Sequence, residues 1–232
     1  FAATERGDID VVKLLLEFEI VDLILRTTIL SECLTTACHY GYFDLVELLL
    51  NVNGIDVNPK NNVNQHFPLY LACQEGYTAI VKLLLEFESI DINRETDENG
   101  STSLAVACAN GHTEVVRVLT AIDNIDCNLP SNDERTPMIM ASYAGHTDIV
   151  QLLLQQTDIN LNKKGRGHTA LWYARYQKHH DIVDMLIEAG ASNVSVQSGD
   201  SCVRGGTRIR GRRRKKNKGR KQKKETSLCK KK

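Results

Sequence analysis

The sequence predicts an all-α fold of repeated helix–turn–helix units followed by a disordered basic tail, and three observations predict it. A short motif recurs six times at spacings of 33 to 35 residues. Each copy carries apolar residues at helical spacing on both sides of a glycine-type break. Near Ser198 the composition changes, and apolar residues give way to Lys, Arg, Gly and Ser.

The copies are ERGDIDVVKLLL from Glu5, HYGYFDLVELLL from His39, QEGYTAIVKLLL from Gln74, ANGHTEVVRVLT from Ala109, YAGHTDIVQLLL from Tyr143 and YQKHHDIVDMLI from Tyr176. Their anchors are Gly7, Gly41, Gly76, Gly111 and Gly145, with Lys178 as the departure in the sixth. In copy five, Thr136 is placed to cap a helix and Pro137 to open it, where its missing N–H does no harm. Met138, Met140 and Ala141 supply an apolar stripe, and Gly145 ends the helix in a left-handed conformation. A second helix follows with Ile149, Val150, Leu152 and Leu153 at helical spacing. Copies four and six begin alike at Thr102 and Thr169, whereas copy three keeps Pro68 but has Phe67 at the cap. Segments such as DENGS (97–101) and GRGH (165–168) supply turn chemistry between copies.

These residues resemble the ankyrin repeat, with its D-x-x-G-x-T-P-L-H-x-A-A-x-x-G-H pattern, an I-V-x-x-L-L helix and a D-V-N close. Copy four matches it in DENGSTSLAVACANGHTEVV, and three copies close with IDVN, IDIN and IDCN. The resemblance covers residues 1–197 and implies a solenoid of stacked helix–turn–helix units joined by short β-hairpin turns, with the tail at 198–232. Units of this kind bury their apolar faces only against neighbours. Phe1 falls at the fourth position of the TPLH tetrad and FAA is no polar cap, so the natural protein is expected to continue upstream. IEAGASNV at the end of copy six reads as a C-terminal cap.

The resemblance implies a non-catalytic scaffold that binds a protein partner on a concave face built from hairpin tips and from the two positions before each glycine. Those pairs are His39 and Tyr40, Gln74 and Glu75, Ala109 and Asn110, Tyr143 and Ala144, and Tyr176 and Gln177. The tips are Val63, Asn64 and His66, then Glu98, Asn99 and Ser101, then Asn132, Asp133 and Arg135, then Arg166 and His168. Tyr40, Tyr143 and Tyr176 are either interface hot spots or rings resting on the neighbouring repeat with only the hydroxyl wet. Trp172 is read as core or cap packing. Asn58, Asn93 and Asn160 resemble asparaginyl-hydroxylase substrate sites, with Leu50, Leu85 and Leu152 six residues before the acidic residue. The preferred reading is that each amide caps a turn.

No catalytic or metal chemistry is expected, and no cofactor. Cys38, Cys73 and Cys108 share one repeat position, which points to small core residues rather than to zinc ligands converging on a point. His112, His146 and His179 share another and are expected to brace loops. Positions repeated in rows do not assemble a nucleophile, base and orienter. Seven cysteines without a CxxC pair or secretory signal suit reduced thiols in an intracellular protein, in cytoplasm or nucleus. No apolar run approaches the ~18 residues that suggest a membrane span, so no membrane partner is expected.

The formal net charge of zero conceals a division. Residues 200–232 hold sixteen Lys or Arg and two acidic residues, a net +14, which leaves −14 on residues 1–199. The tail's densest run comprises Arg208, Arg210, Arg212, Arg213, Arg214, Lys215, Lys216, Lys218, Arg220, Lys221, Lys223 and Lys224. Such a run suits a nuclear localisation signal read by an import receptor, polyanion or nucleic-acid binding without base stacking, or docking on the acidic body. The alternatives to the scaffold are a nucleic-acid-associated adaptor that grips DNA or RNA with the tail, and the regulatory repeat array of a larger enzyme or channel.

Overall fold

The computed structural model describes residues 2–10, 13, 23–59 and 66–192, and within these the protein is an all-α repeat array. Asn64, Val63 and the twelve basic residues from Arg208 to Lys224 lie outside the described residues. In chain order the helices are α1 (Ala2–Glu5), α2 (Leu23–Tyr40), α3 (Phe43–Leu50), α4 (Pro68–Glu75), α5 (Thr78–Leu84), α6 (Ser103–Asn110), α7 (Thr113–Thr120), α8 (Pro137–Ala144), α9 (Thr147–Leu154), α10 (Ala170–Tyr176) and α11 (His180–Glu188). The first helices pack side by side, α2 on α4, α4 on α6, α6 on α8 and α8 on α10. The second helices form a parallel row, α3 to α11, with fewer contacts between neighbours.

The caps explain why each first helix starts and stops where it does. Thr102, Thr136 and Thr169 accept from the backbone N–H groups of Ala105, Ile139 and Trp172 at 3.2, 3.3 and 3.4 Å. Phe67 cannot cap, and instead it is 1 % exposed with the Arg94 guanidinium 4.9 Å from its ring centre. Copy two departs further. Its first helix, α2, has 18 residues against seven or eight in copies three to six, because LILRTTILSECLTTACHY holds no Gly, Pro or Asn to make a turn.

Each first helix ends in the same left-handed turn. Gly76, Gly111 and Gly145 take φ of 81°, 82° and 86°, and the following residue donates its N–H back to Ala72, Ala107 or Ala141 at 2.9 to 3.1 Å. Those alanines are fully buried where neighbouring first helices meet. The turn also receives the next repeat. A Cβ on Gly76, Gly111 or Gly145 would stand 2.5 to 2.6 Å from the ring of His112, His146 or His179. Each of those rings hydrogen-bonds through Nε2 to a carbonyl just before the glycine, of Gln74 at 2.8 Å, Ala109 at 3.1 Å and Tyr143 at 3.2 Å. A carbonyl only accepts, so Nε2 carries the proton. Tyr42 does the same to the Glu5 carbonyl at 3.1 Å. The histidines brace loops, and the loop each one braces belongs to the preceding repeat.

A second ladder joins the loops that close the repeats. Asn58 donates to the Ser89 carbonyl at 2.7 Å and accepts from Asp91 N–H at 2.9 Å. Asn93 does likewise with Asn124 and Asp126, and Asn128 with Asp158 and Asn160. Asn162 accepts from Ser192 N–H at 2.9 Å. Lys163 returns the link by donating to the Asn128 carbonyl at 2.8 Å, and Arg94 contacts the Asn58 carbonyl in the same way. The ladder corrects the phase of Asn160. Its Oδ1 accepts from Asn162 N–H at 3.1 Å, the local bond that Asp56 and Asp126 make to Asn58 and Asn128. The repeat-closing asparagine of copy five is therefore Asn162, and the amides cap turns of the following repeat rather than their own.

Gly111→Ala should lower stability by about 2 kcal/mol or more, because it adds left-handed strain to a clash with His146. Lys178 holds φ 64° in an exposed position, so Lys178→Gly should raise stability by about 0.5–1 kcal/mol. Urea unfolding of the three proteins measures both. In the same assay Asn93→Ala should cost about 1–2 kcal/mol and Asn160→Ala clearly less, since two inter-repeat bonds are lost in one and a single local bond in the other.

Candidate functional site

The hairpin tips are built locally and then tied to one another. In copy four, Thr96 N–H donates to the Ser101 carbonyl at 3.1 Å, and Glu95 and Thr102 form an antiparallel bridge. Asn99 Oδ1 accepts from the Thr96 hydroxyl at 2.6 Å and from Ser101 N–H at 2.9 Å. Ser101 is thus a buried hairpin residue, 5 % exposed, whereas Glu98 and Asn99 are exposed. In copy five, Ser131 N–H donates to the Arg135 carbonyl at 2.9 Å and Glu134 turns with φ 61°. Copy six makes a two-residue turn with Arg166 at φ 50° and Gly167 at φ 84°, the geometry of a type I′ hairpin.

Neighbouring tips then bond. Asn132 N–H donates to the Asn99 carbonyl at 2.8 Å, and Asn132 Nδ2 reaches the Glu98 carbonyl at 3.4 Å. Asp133 pairs with Arg166, which holds its carboxyl below the usual range. Between the tips of copies four and five lies a groove of about 240 Å³, lined by Glu98, Asn99, Ser101, Ser131, Asn132, Asp133, Arg135 and Met140. Arg135 lies half-buried with its guanidinium carbon 5.6 and 5.9 Å from the ring centres of Tyr143 and Tyr173. His66 Nε2 is 3.8 Å from the Glu98 carboxylate, but burial pushes the imidazole pKa down against that attraction.

The positions before the glycines form a second row. Tyr40, Tyr143 and Tyr176 are 48 %, 42 % and 63 % exposed while the apolar residues beneath them are buried. Tyr40 lies 5.0 Å from His39 and 5.9 Å from Tyr42, and Tyr143 meets Tyr173 of the next repeat edge-on at 5.9 Å. Tyr176 stacks on Trp172 at 5.1 Å, and Trp172 on His168 at 3.7 Å. Residues 172 and 176 are four apart on α10, and His168 of the preceding hairpin stacks on the first of them, so the three rings form one column. Gln74 is half-buried and its amide donates to the exposed Glu75 at 2.9 Å. Asn110 is exposed but donates to the Gln74 carbonyl at 2.8 Å, and Gln177 is half-buried.

Tips and pre-glycine positions therefore come together in copies four to six, where Arg135 joins the groove to Tyr143. Sequence periodicity missed three contributors. Met140 was placed in the apolar stripe but is half-buried in the groove wall, Ser131 lines the groove floor, and Trp172 is the centre of the aromatic column. A helical period assigns a face only to within a turn, and hairpin closure decides which half-buried residue borders a groove.

Cys38, Cys73 and Cys108 are 0 % exposed, and burial raises all three thiols far above their ordinary range. Burial also pushes Cys127 up to about 11. Among the described residues no group of three or more His, Cys, Asp and Glu is placed to hold a metal ion. No helix among them is long and apolar enough to cross a membrane.

Comparison with known proteins gives a consistent picture. A family model described as ankyrin repeats (3 copies) matches residues 34–131 and 121–198. Ankyrin repeat and SAM domain-containing protein 3 of Homo sapiens is 43 % identical over 53 residues, 22 % of this chain and 8 % of that protein. Ankyrin repeat and SAM domain-containing protein 6 of Mus musculus is 36 % identical over 64 residues, 27 % of this chain and 7 % of that protein. The matches thus span under a tenth of the length of these relatives. Ankyrin repeats generally mediate protein–protein interaction and are typically non-catalytic. With stacked helix pairs, glycine-ended first helices and a family match running from residue 34 to 198, the chain belongs to the ankyrin-repeat family.

Proposed function

We propose that this chain is a non-catalytic scaffold that binds a partner protein along the face formed by hairpin tips and first helices. The observation that carries this is the row of half-exposed tyrosines, Tyr40, Tyr143 and Tyr176, on helices whose Ala37, Ala141 and Ala174 are fully buried. Tyrosine supplies contact area with few rotatable bonds and a polar end, which suits a hot spot. The net −14 of residues 1–199 favours partners with basic surfaces and speeds their encounter. The basic run from Arg208 to Lys224 serves as a nuclear localisation signal or a polyanion-binding arm, and its charge is what favours the second reading, a nucleic-acid-associated adaptor.

Peptides selected from a displayed library on the full chain test the scaffold. Tyr143→Ala and Tyr176→Ala should each weaken them about tenfold or more, while Ile122→Ala should not. Equal loss in all three, or none, would reject the tyrosine row. For the tail, duplex DNA binding by the full chain is compared at ~0.05 and ~0.2 M salt with a chain carrying Gln at the twelve basic positions. Binding that requires the basic residues and drops steeply with salt supports the polyanion arm. Absence of binding at low salt leaves the localisation role.

A further inference from the structure

Positive charge and stacked rings coincide in the last copy. Residues 163–180 hold Lys163, Lys164, Arg166, Arg175 and Lys178, and acidic residues resume only at Asp181. This basic island stands within residues 1–199, whose net charge is −14. The same segment carries the column of His168, Trp172 and Tyr176, whose successive rings are inclined by only 16° and 9°. Two residues of chain keep Cα atoms within about 7.6 Å, so Lys178 sits beside the Tyr176 end of the column. At the other end, Gly165 N–H donates to the His168 carbonyl at 2.8 Å, and Lys164 immediately precedes that pair.

Tyr176 ends the column with an open face. It is 63 % exposed, Trp172 covers one side of its ring, and among the described residues no other ring lies against it. The other tyrosines of the row differ. Tyr143 meets Tyr173 edge-on and has the Arg135 guanidinium carbon 5.6 Å from its ring centre, and Tyr40 packs against His39 and Tyr42. A flat ring laid on Tyr176 extends a stack that is already ordered, so little further side-chain entropy is lost.

The charges say what that ring belongs to. Arg166 is engaged by Asp133 and Lys163 by the Asn128 carbonyl, whereas Lys164 and Lys178 are exposed. A planar group beside an anion is what a nucleotide carries, and aromatic stacking with phosphate neutralisation is how single strands are held. Residues 198–232 contain no Phe, Tyr or Trp, so the basic run there supplies charge without a stacking face.

We infer that copy six is a stacking site for single-stranded nucleic acid, with an unpaired base on the open face of Tyr176 and flanking phosphates neutralised by Lys178 and Lys164. The bases of a duplex are covered on both faces by their neighbours, so the site selects unpaired strands. The inference rests on the reading of this chain as a nucleic-acid-associated adaptor, and adds a base-dependent site on the repeats to the charge of the tail.

The test measures, by fluorescence anisotropy at ~0.05 M salt, binding of a labelled oligodeoxyadenylate and of an abasic strand of equal length to the full chain. The adenine strand should bind about tenfold or more tightly than the abasic one. Tyr176→Leu, which keeps an apolar side chain and loses the ring, should erase that ratio, and Tyr176→Phe should keep it. The ratio should survive in the full-length chain carrying Gln at the twelve basic positions from Arg208 to Lys224, although both strands bind it more weakly. Lys178→Gly should weaken both strands severalfold while raising stability, which separates binding from folding. Emission from Trp172, the only tryptophan of the chain, should change with the adenine strand and not with the abasic one. Equal binding of the two strands, a ratio untouched by Tyr176→Leu, strand affinity untouched by Lys178→Gly, or Trp172 emission unchanged at saturation overturns the stacking site and leaves the tail-based adaptor standing. No binding of either strand overturns both. Selected peptides that need Tyr176, with the two strands bound equally, assign this face to protein and also overturn the inference.

Discussion

Everything in this array depends on the contact between the glycine that ends one first helix and the ring that enters the next repeat. The left-handed turn at Gly76, Gly111 and Gly145 already excludes most side chains on backbone grounds. The ring of His112, His146 or His179 then occupies the space a Cβ would need and bonds a carbonyl of the same turn. One small residue thus terminates a helix, opens a seat for its neighbour and fixes the register of the stack. Lys178 shows the other half of the rule, since no following described repeat lays a ring over it and a side chain survives there.

Coupling of this kind passes from repeat to repeat at two levels. Rings brace the turns on one side, and the Asn58, Asn93, Asn128 and Asn162 amides brace the loops on the other. Between them the fully buried alanine row and Cys38, Cys73 and Cys108 let the first helices approach closely. Stability is then a sum of neighbour interfaces. Repetition also disperses chemistry, because equivalent side chains stand in rows. Cys38, Cys73 and Cys108 are taken up by packing, and His112, His146 and His179 by inter-repeat hydrogen bonds.

Positions that break the pattern meet in copies four to six. Arg135 joins the groove to the tyrosine row by lying over Tyr143 and Tyr173, so copies four to six present a polar recess beside an aromatic surface.

The repeat phase was legible in the sequence because its determinants are local. A threonine caps, a proline opens, a glycine turns left-handed and apolar residues recur at helical spacing, and each of these acts within a few residues of chain. The same locality exposes the exceptions, such as the poor cap at Phe67. Tertiary structure decided what depends on atoms 30 or more residues apart. Asn162 rather than Asn160 closes copy five because its partner is Ser192 in the next loop. Met140 leaves the core stripe for the wall of a groove shared with the tip of the preceding copy. Period and propensity choose a helix face, but only the seating of one repeat on another determines which side chains on that face are covered, bonded or left open.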